Sequence, residues 1–360
     1  MPGRILPRMS AEFRKRYFPD ASVREWNDWR WQVRNSFRDA QHVERVLALT
    51  PDERAAFMLS DRPLPVAITP YYMSLIDPEA GTDPIRKTMV PQPAEHKLHA
   101  GESDDPLGEA SHSPAPRIVH TYPNKVLFLV SDMCAVYCRF CTRARAVGSG
   151  QWPSDRKVWE QGLSYISEHK EVNDVLISGG DPLLLSDARL QWILERLHAI
   201  PHVTLIRIGT KVPAVLPQRI TPALCRMLKR FHPLWLSIHF THPNELTPPV
   251  SQACCRLADA GIPLMSQTVL LQGVNDDSAV MKSLLDGLIR LRVKPYYLHQ
   301  CDPIRGSSHF RTDIALGRAI IRSLHGQTTG YAVPMFMLDV PGGGGKVPIG
   351  PEYVVEAQDL

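Results

Sequence analysis

The chain has 360 residues, a mass of 40.5 kDa and a net charge of +4 from 41 basic and 37 acidic side chains. Hydrophobic residues make up 44% of it and charged residues 22%, which excludes a chain that is mostly disordered. The charge is too small to indicate nucleic-acid binding. No apolar run reaches the roughly 18 residues of a membrane helix, and we find no signal peptide, so we expect a cytoplasmic protein without a membrane or nucleic-acid partner.

The first third of the chain differs from the rest in composition and in the spacing of its apolar residues. Residues 11–60 have helical spacing, and Pro51 with two acids behind it is typical of the first turn of a helix. Residues 61–122 are rich in Pro, Asp, Gly and Ser and have little periodicity. We therefore predict an N-terminal helical and wrapping segment at 1–122.

Strands alternate with helices from Lys125 onward. Short apolar runs predict strands at 126–130, 174–178, 204–208, 234–240, 263–271, 295–299 and 334–338. Amphipathic stretches predict helices at 154–169, 186–199, 222–231, 248–260, 278–291 and 312–325. This alternation predicts an α/β fold with a parallel sheet, a complete or partial (β/α) barrel over 123–340, and a short tail at 341–360. The active site of such a barrel lies at the carboxyl ends of its strands.

Seven cysteines, an odd number in a chain without a signal peptide, argue against a disulfide framework. Cys134, Cys138 and Cys141 follow the first predicted strand with C-x3-C-x2-C spacing. Three thiolates can hold three irons of a [4Fe–4S] cluster, which leaves the fourth iron open to a small molecule. A structural zinc site usually has a second pair of ligands, and none is visible here.

Two glycine-rich stretches lie at the ends of predicted strands. Ser178, Gly179, Gly180 and Asp181 follow the second strand, and glycines there allow backbone to approach a ligand closely. Four consecutive glycines precede Lys346 without the spacing of a phosphate-binding Walker loop. A lysine on such a loop can form a Schiff base with a carbonyl cofactor. Taken alone, the first stretch could be a simple turn and the second a flexible loop.

The cysteine spacing, with an aromatic residue before the last cysteine, resembles the radical S-adenosylmethionine superfamily. That resemblance implies a [4Fe–4S] cluster whose open iron binds S-adenosyl-L-methionine, and a partial barrel of the radical SAM type. It also implies that residues 178–181 contact the methionyl end of that cofactor.

Further stretches resemble the lysine 2,3-aminomutases, and the resemblance covers nearly the whole chain. The matching stretches include 26–29, 68–72, 83–87, 101–107, 210–213, 239–245, 273–276, 300–302, 309–312 and 341–346. By this resemblance Lys346 holds pyridoxal 5′-phosphate, and Lys125, Gln267 and His239 are further cofactor-binding residues. The implied reaction moves the α-amino group of an amino acid to its β-carbon.

The resemblance also implies a substrate site. Arg143 matches a carboxylate-binding arginine, whose planar fork suits a carboxylate. Asp302 and Asp339 match a pair that holds the distal ammonium of lysine, and two acids near one buried cation limit its desolvation cost. We therefore expect a free basic L-amino acid, with L-lysine first. L-Arginine, as the substrate of an aminomutase or a desaturase, is the alternative, and a non-enzymatic iron–sulfur sensor is a third hypothesis.

Several positions depart from the family pattern. Thr121 and Lys125 stand where the family usually has Arg, and Phe140, Ala144 and His299 replace other frequent residues. No cysteine follows residue 301, and Asp277 occupies the position of a zinc-binding cysteine, so we expect no zinc. We expect an electron donor such as flavodoxin or ferredoxin, and a homo-oligomer is possible.

Overall fold

The computed structural model describes residues 6–59, 64–150, 152 and 155–353, with side chains from residue 10 onward. The predicted helix start at 154, the end of the helical stretch at 60 and the predicted tail beyond 353 lie outside the described residues. The fourteen described α-helices are α1 Leu6–Tyr17, α2 Val23–Trp26, α3 Trp29–Arg34, α4 Ala40–Glu44, α5 Pro51–Met58, α6 Pro70–Met73, α7 Pro84–Met89, α8 Arg156–Glu168, α9 Asp187–His198, α10 Val212–Val215, α11 Pro222–Leu228, α12 Pro248–Asp259, α13 Ser278–Arg290 and α14 Ile314–Leu324.

Nine strands of the described chain form one sheet. They are β1 Ile118–Tyr122, β2 Lys125–Ser131, β3 Asp174–Gly179, β4 Leu205–Thr210, β5 Leu234–His239, β6 Leu264–Leu270, β7 Lys294–Gln300, β8 Met335–Val340 and β9 Gly345–Pro348. The strand order in the sheet follows the chain, with β2 to β8 parallel and β1 and β9 antiparallel at the two ends. This nearly closed α/β barrel confirms the predicted fold class.

Short 3-10 turns complete the described secondary structure. They lie at Pro93–His96, Pro182–Leu184, Pro217–Arg219, Lys229–Phe231, Pro243–Glu245, Ser308–Phe310, Gly330–Ala332 and Pro341–Gly343. The sequence prediction missed β1 and β9, because these edge strands are short and lack a long apolar run. The predicted segments 1–122, 123–340 and 341–360 stay a prediction, although the sheet itself runs from Ile118 to Pro348.

The seam between β1 and β9 is bridged by a side chain. The Tyr122 hydroxyl, from the end of β1, accepts a hydrogen bond of 2.8 Å from the backbone N–H of Lys346 on β9. The last strand is therefore held next to the first.

The N-terminal helices are short and individually capped. Thr50 and Glu53 form a reciprocal capping box at the start of α5, as the acids after Pro51 predicted. Glu53 then reaches the buried Arg86 of α7, whose Nε and Nη2 donate to its two oxygens at 2.9 and 2.6 Å. Tyr72 donates to Glu245 in the barrel at 2.6 Å. The Glu53–Arg86 pair thus joins two N-terminal helices, and the Tyr72–Glu245 bond docks this segment on the barrel.

Among the described residues, no helix is long and apolar enough to cross a membrane.

Candidate active site

One cavity of about 360 Å³ lies at the carboxyl ends of the strands and extends into the barrel. Every site residue predicted from the sequence lines it: Lys125, Cys134, Cys138, Cys141, Arg143, Ser178, Gly179, Gly180, Asp181, His239, Gln267, Asp302, Asp339 and Lys346. Residues that are up to 221 positions apart in the chain thus face one space. For most of them the parallel strands are the cause, because their carboxyl ends meet at one end of the barrel, whereas Lys125 begins β2 and Lys346 lies on the antiparallel β9.

The three clustered cysteines lie on the loop that follows β2, and all three are free. Burial raises the pKa of the Cys138 thiol to about 12 and that of Cys134 and Cys141 above the ordinary value. A thiolate in this place therefore requires a positive partner, which iron supplies. The donor set, three soft sulfurs beside a cavity, fits an iron–sulfur cluster.

The same loop is anchored from behind by an arginine between the second and third cysteines. Arg139 donates from Nε to both oxygens of Glu95, at 3.1 and 3.0 Å, and from Nη1 to the carbonyls of Leu64 and Pro65. Both charged side chains are almost fully buried. Arg139 thereby fixes the path of the loop without facing the cavity.

Within the described residues, no three His, Cys, Asp or Glu side chains converge as the ligands of a single metal ion. A cluster differs from a single ion in this respect. In a [4Fe–4S] cluster each cysteine ligand binds a different iron, so the ligands need not converge on one point. The lack of a single-ion site among the described residues is therefore compatible with cluster ligands on this loop.

Gly179 and Gly180 pack against the backbone of the cysteine loop. The N–H of Gly180 donates to the carbonyl of Ser131 at 2.5 Å, and that of Asp181 donates to Met133 at 2.7 Å. A Cβ at Gly179 would lie 2.3 Å from the Ser131 oxygen, and one at Gly180 would lie 2.5 Å from the Met133 oxygen. Residues without side chains are therefore required where β3 ends.

Asp181 joins the ends of β3 and β4. Its carboxylate accepts hydrogen bonds from Thr210 Oγ1 at 2.7 Å, from the backbone N–H of Lys211 at 2.8 Å, and from those of Val212 and Leu183 at 3.1 Å each. These bonds oppose the effect of burial, which raises the pKa of this carboxyl. With four donors on one carboxylate, Asp181 shapes the cavity wall.

Lys346 lies on β9 beside Asp339 of β8. Its Nζ is 2.7 Å from Asp339 Oδ1 and 2.5 Å from Oδ2. His299 Nδ1 is 3.4 Å from the same Oδ2, and burial lowers the pKa of His299 below its ordinary value. The buried His299 Nε2 has no hydrogen-bond partner among the residues that the structure describes. A cavity-facing lysine, carboxylate and neutral imidazole therefore stand next to each other.

Asp302 follows β7, and its buried Oδ1 has no hydrogen-bond partner within the described part of the chain. Burial, helped by the charge of Asp339, raises the pKa of Asp302 to about 7. A buried carboxyl with an unused oxygen can accept a hydrogen bond from a ligand. A cationic ligand would form an ion pair with this carboxylate and keep it ionised. The structure thus brings Asp302 and Asp339 to the same cavity, with Asp339 already paired to Lys346.

Arg143 is held by a residue that the sequence analysis did not predict. Its Nε donates to Glu109 Oε1 at 2.9 Å, and its Nη2 is 2.7 Å from the same oxygen. Its Nη1 donates to Ser178 Oγ at 3.2 Å. Glu109 occupies the Nε side of the guanidinium, so the Nη1 side remains toward Ser178. A lone glutamate in a loop carries no sequence signal that would have identified it.

The glycine run before Lys346 packs against the loop that carries Glu109. Gly342 N–H donates to the Pro106 carbonyl at 3.0 Å, and a Cβ at Gly343 would lie 2.2 Å from the His112 ring. Gly343 also has a φ of 88°, which glycine adopts without strain. The structure therefore shows these glycines accommodating a neighbouring loop.

The remaining predicted residues line the barrel interior. Gln267 Nε2 and His239 Nε2 are 3.1 Å apart on adjacent strands, and burial lowers the pKa of His239 to about 3, so its imidazole is neutral. Lys125 Nζ lies 4.0 Å from the centroid of the Tyr122 ring. This part of the cavity is polar but surrounded by aromatic side chains.

Comparison with known proteins gives consistent matches. The family described as "Radical SAM superfamily" matches residues 128–284, and "Lysine-2,3-aminomutase" matches residues 321–359. The chain is 49% identical over 346 residues to an L-lysine 2,3-aminomutase of Fusobacterium nucleatum, covering 95% of this chain and 80% of the relative. It is 49% identical over 340 residues to that of Acetoanaerobium sticklandii, with 94% and 82% covered. A glutamate 2,3-aminomutase of Clostridioides difficile is 41% identical over 332 residues, with 92% and 78% covered.

Proposed function

Because the chain belongs to the lysine 2,3-aminomutase family of radical S-adenosylmethionine enzymes, we propose that it moves the α-amino group of free L-lysine to the β-carbon. As a member of this family it is an isomerase of a small amino acid that uses a [4Fe–4S] cluster and S-adenosyl-L-methionine. L-Lysine as the substrate and pyridoxal 5′-phosphate as a further cofactor are our proposals.

The observation that carries the choice of substrate is the charge of the cavity wall. Asp302 and Asp339 face the cavity together, and no described residue forms a hydrogen bond with Oδ1 of Asp302. A distal ammonium satisfies these acceptors, whereas the distal carboxylate of glutamate would be repelled. Arg143, with its Nη1 side toward Ser178, supports binding of the α-carboxylate.

The proposed role of each residue follows from its place in the cavity. When bound, the cluster and S-adenosyl-L-methionine supply the radical that removes a hydrogen atom, and pyridoxal phosphate supplies the carbonyl that carries the migrating nitrogen. Cys134, Cys138 and Cys141 hold the cluster. Lys346 holds the carbonyl cofactor through Nζ, and Asp339 takes up the charge of that lysine whenever its amine is free.

The surrounding residues position these groups and exclude water. Lys125, Gln267 and His239 line the interior part of the cavity where we place pyridoxal phosphate. Ser178, Gly179, Gly180 and Asp181 form the wall beside the cysteine loop, where we place S-adenosyl-L-methionine. A radical reaction needs such an enclosed site, because water and side chains would otherwise quench the reactive species.

Further parts of the proposal concern the partners of the enzyme. We propose a ferredoxin or flavodoxin as the electron donor, since the cluster must be reduced by one electron before it reacts. A reducing cytoplasm suits the seven free thiols, and a homo-oligomer is compatible with the exposed apolar residues Met58, Leu98 and Tyr331. We expect no structural zinc.

The experiment is an anaerobic reconstitution followed by incubation with S-adenosyl-L-methionine, pyridoxal phosphate, a reductant and one amino acid. L-Lysine should give a product that has the mass of lysine and the chromatographic retention time of β-lysine. L-Glutamate should give no product. Preferential turnover of L-arginine, or a product lighter by two hydrogens, would replace the proposed reaction with its alternative.

A variant of Lys346 tests the carbonyl cofactor separately from the substrate. Lys346→Ala should keep the iron content of the wild type and lose the absorbance of bound pyridoxal phosphate. Equal absorbance in both proteins would show that Lys346 does not hold this cofactor. Lys157→Ala, which changes an exposed lysine on α8, is the matched control and should behave like the wild type.

A further inference from the structure

Basic side chains gather inside the barrel toward the amino ends of its strands. Lys125 is the first residue of β2, and Arg207 lies in the middle of β4; both line the cavity. Between these strands, Asp174 pairs in register with Lys125, and Leu176 pairs with Arg207. Because side chains alternate along a strand, Asp174 and Leu176 share one face, and Leu176 also lines the cavity. The register thus brings Lys125, Asp174 and Arg207 together.

The charges in this group do not balance. Arg207 Nε donates to Asp174 Oδ1 at 2.8 Å, so the one carboxylate is engaged by the guanidinium. The pKa of Lys125 is lowered by burial and then by the positive charges of Arg207 and Lys346. Lys125 and Arg207 thus share one acid, whereas Lys346 has its own partner in Asp339, so one positive charge in this buried pocket lacks an acid. Such a pocket is suited to an anion.

The hydrogen-bonding groups that face this pocket are donors. Asp174 holds Arg207 by its Nε, which leaves the fork of the two terminal nitrogens for a ligand. The Tyr296 hydroxyl donates to the Tyr297 oxygen at 2.6 Å, so the hydrogen of the Tyr297 hydroxyl is available in turn. Burial raises the pKa of Tyr297, which keeps that hydroxyl protonated. Ammonium, guanidinium fork and phenol together match the acceptor oxygens of a phosphate.

A carboxylate is a weaker candidate for this pocket than a phosphate. Ser178, two residues beyond Leu176 on β3, bonds to Arg143, so the predicted carboxylate site lies further along the strand. Two residues of a strand span roughly 7 Å, so the guanidinium groups of Arg143 and Arg207 lie at different levels along the barrel. Lys346, the proposed carbonyl-binding residue, lies next to the pocket, because its backbone N–H donates to the Tyr122 hydroxyl at 2.8 Å and the Tyr122 ring lies 4.0 Å from Lys125 Nζ. One ligand can therefore meet Lys346 with its carbonyl and this pocket with its phosphate.

We propose that Arg207, oriented by Asp174, is a phosphate-binding residue of the carbonyl cofactor, and that it acts together with Lys125 and the Tyr297 hydroxyl. Arg207 thereby supplies the guanidinium that the family resemblance places at Thr121. Asp174 is a positioning residue, since it touches Arg207 and does not line the cavity. This inference rests on the proposed use of pyridoxal phosphate.

The test is a binding titration that needs no turnover. Cofactor-free protein is titrated with pyridoxal phosphate, with pyridoxal, which lacks the phosphate, and with inorganic phosphate. Arg207→Gln should weaken pyridoxal phosphate about tenfold or more, leave pyridoxal unchanged and lose inorganic phosphate. Arg207→Lys should recover part of the affinity. Arg196→Gln, which changes an exposed arginine on α9, is the matched control and should bind like the wild type.

The outcomes separate this inference from the proposed function. Wild-type affinity of Arg207→Gln for pyridoxal phosphate, or equal losses for both pyridoxal forms in a protein with an unchanged melting temperature, would overturn the inference. If Arg207→Gln does not fold, Asp174→Asn replaces it and should show the same preference against the phosphorylated form. A wild type that binds phosphate through Arg207 but no pyridoxal phosphate would refute the cofactor and retain the phosphate pocket.

Discussion

The substitution Gly180→Ala tests how closely the end of β3 supports the cysteine loop. The added Cβ would lie 2.5 Å from the Met133 oxygen and 2.8 Å from two carbonyl carbons, those of Asp132 and Met133. These are backbone atoms, so no flexible side chain can move aside, and the loop must shift by roughly 1 Å to restore ordinary contact. Overpacking of this kind costs about 1–3 kcal/mol. We expect that loss in the free energy of unfolding, together with less iron bound per chain.

The assay is iron and sulfide per chain after anaerobic reconstitution, combined with urea unfolding of the same samples. Gly209→Ala is the matched control, because its Cβ would meet its nearest atom, on Leu176, at an ordinary 3.6 Å. Gly180 does not have a positive φ, so its variant reports the steric contact alone. Full iron content and wild-type stability in Gly180→Ala would refute the reasoning.

Two further predictions concern buried charges. Glu95→Ala should destabilise the protein by about 3–5 kcal/mol and lower its iron content, because it leaves the buried charge of Arg139 without its acidic partner. Glu160→Ala breaks an exposed ion pair instead and should cost under about 1 kcal/mol. Similar urea unfolding midpoints for the two variants would contradict this prediction. Asp302→Asn should stabilise the protein more at pH 8 than at pH 5, by up to about 3 kcal/mol, because a carboxyl with a pKa raised to about 7 destabilises the folded state as it ionises with rising pH. Denaturation at both pH values measures this, and equal effects would count against the raised pKa.

The barrel could be predicted because each buried strand carries its own signal. The run from Val126 to Val130 is apolar throughout, as a strand covered on both faces must be. β1 and β9 could not be found in the same way, since Gly345–Pro348 is a strand only because β8 pairs with it. The local sequence pattern identifies strands whose own apolar residues form the core. Edge strands such as β1 and β9 form only by pairing with a neighbouring strand, so their sequences carry no comparable pattern.

The limits at the site have a different cause. The chemistry of Cys134 or Lys346 is visible in a short motif, whereas Glu109 and Arg207 matter only through partners far away in the chain. The glycine run shows a second limit, because the sequence indicated close backbone approach without indicating what approaches. The structure places the His112 ring there. Pairwise contacts across the fold supply what local spacing cannot.

The hydrogen bond between Lys346 and Tyr122 has a consequence for biosynthesis. A ribosome releases the cysteine loop roughly 200 residues before it makes Lys346, so most of the barrel can fold while the seam is still open. The cysteine loop and the strand before it are thus made early, and the strand that carries Lys346 takes its place last. The topology therefore implies an order of folding in which the cysteine loop can be in position before the last wall of the cavity closes.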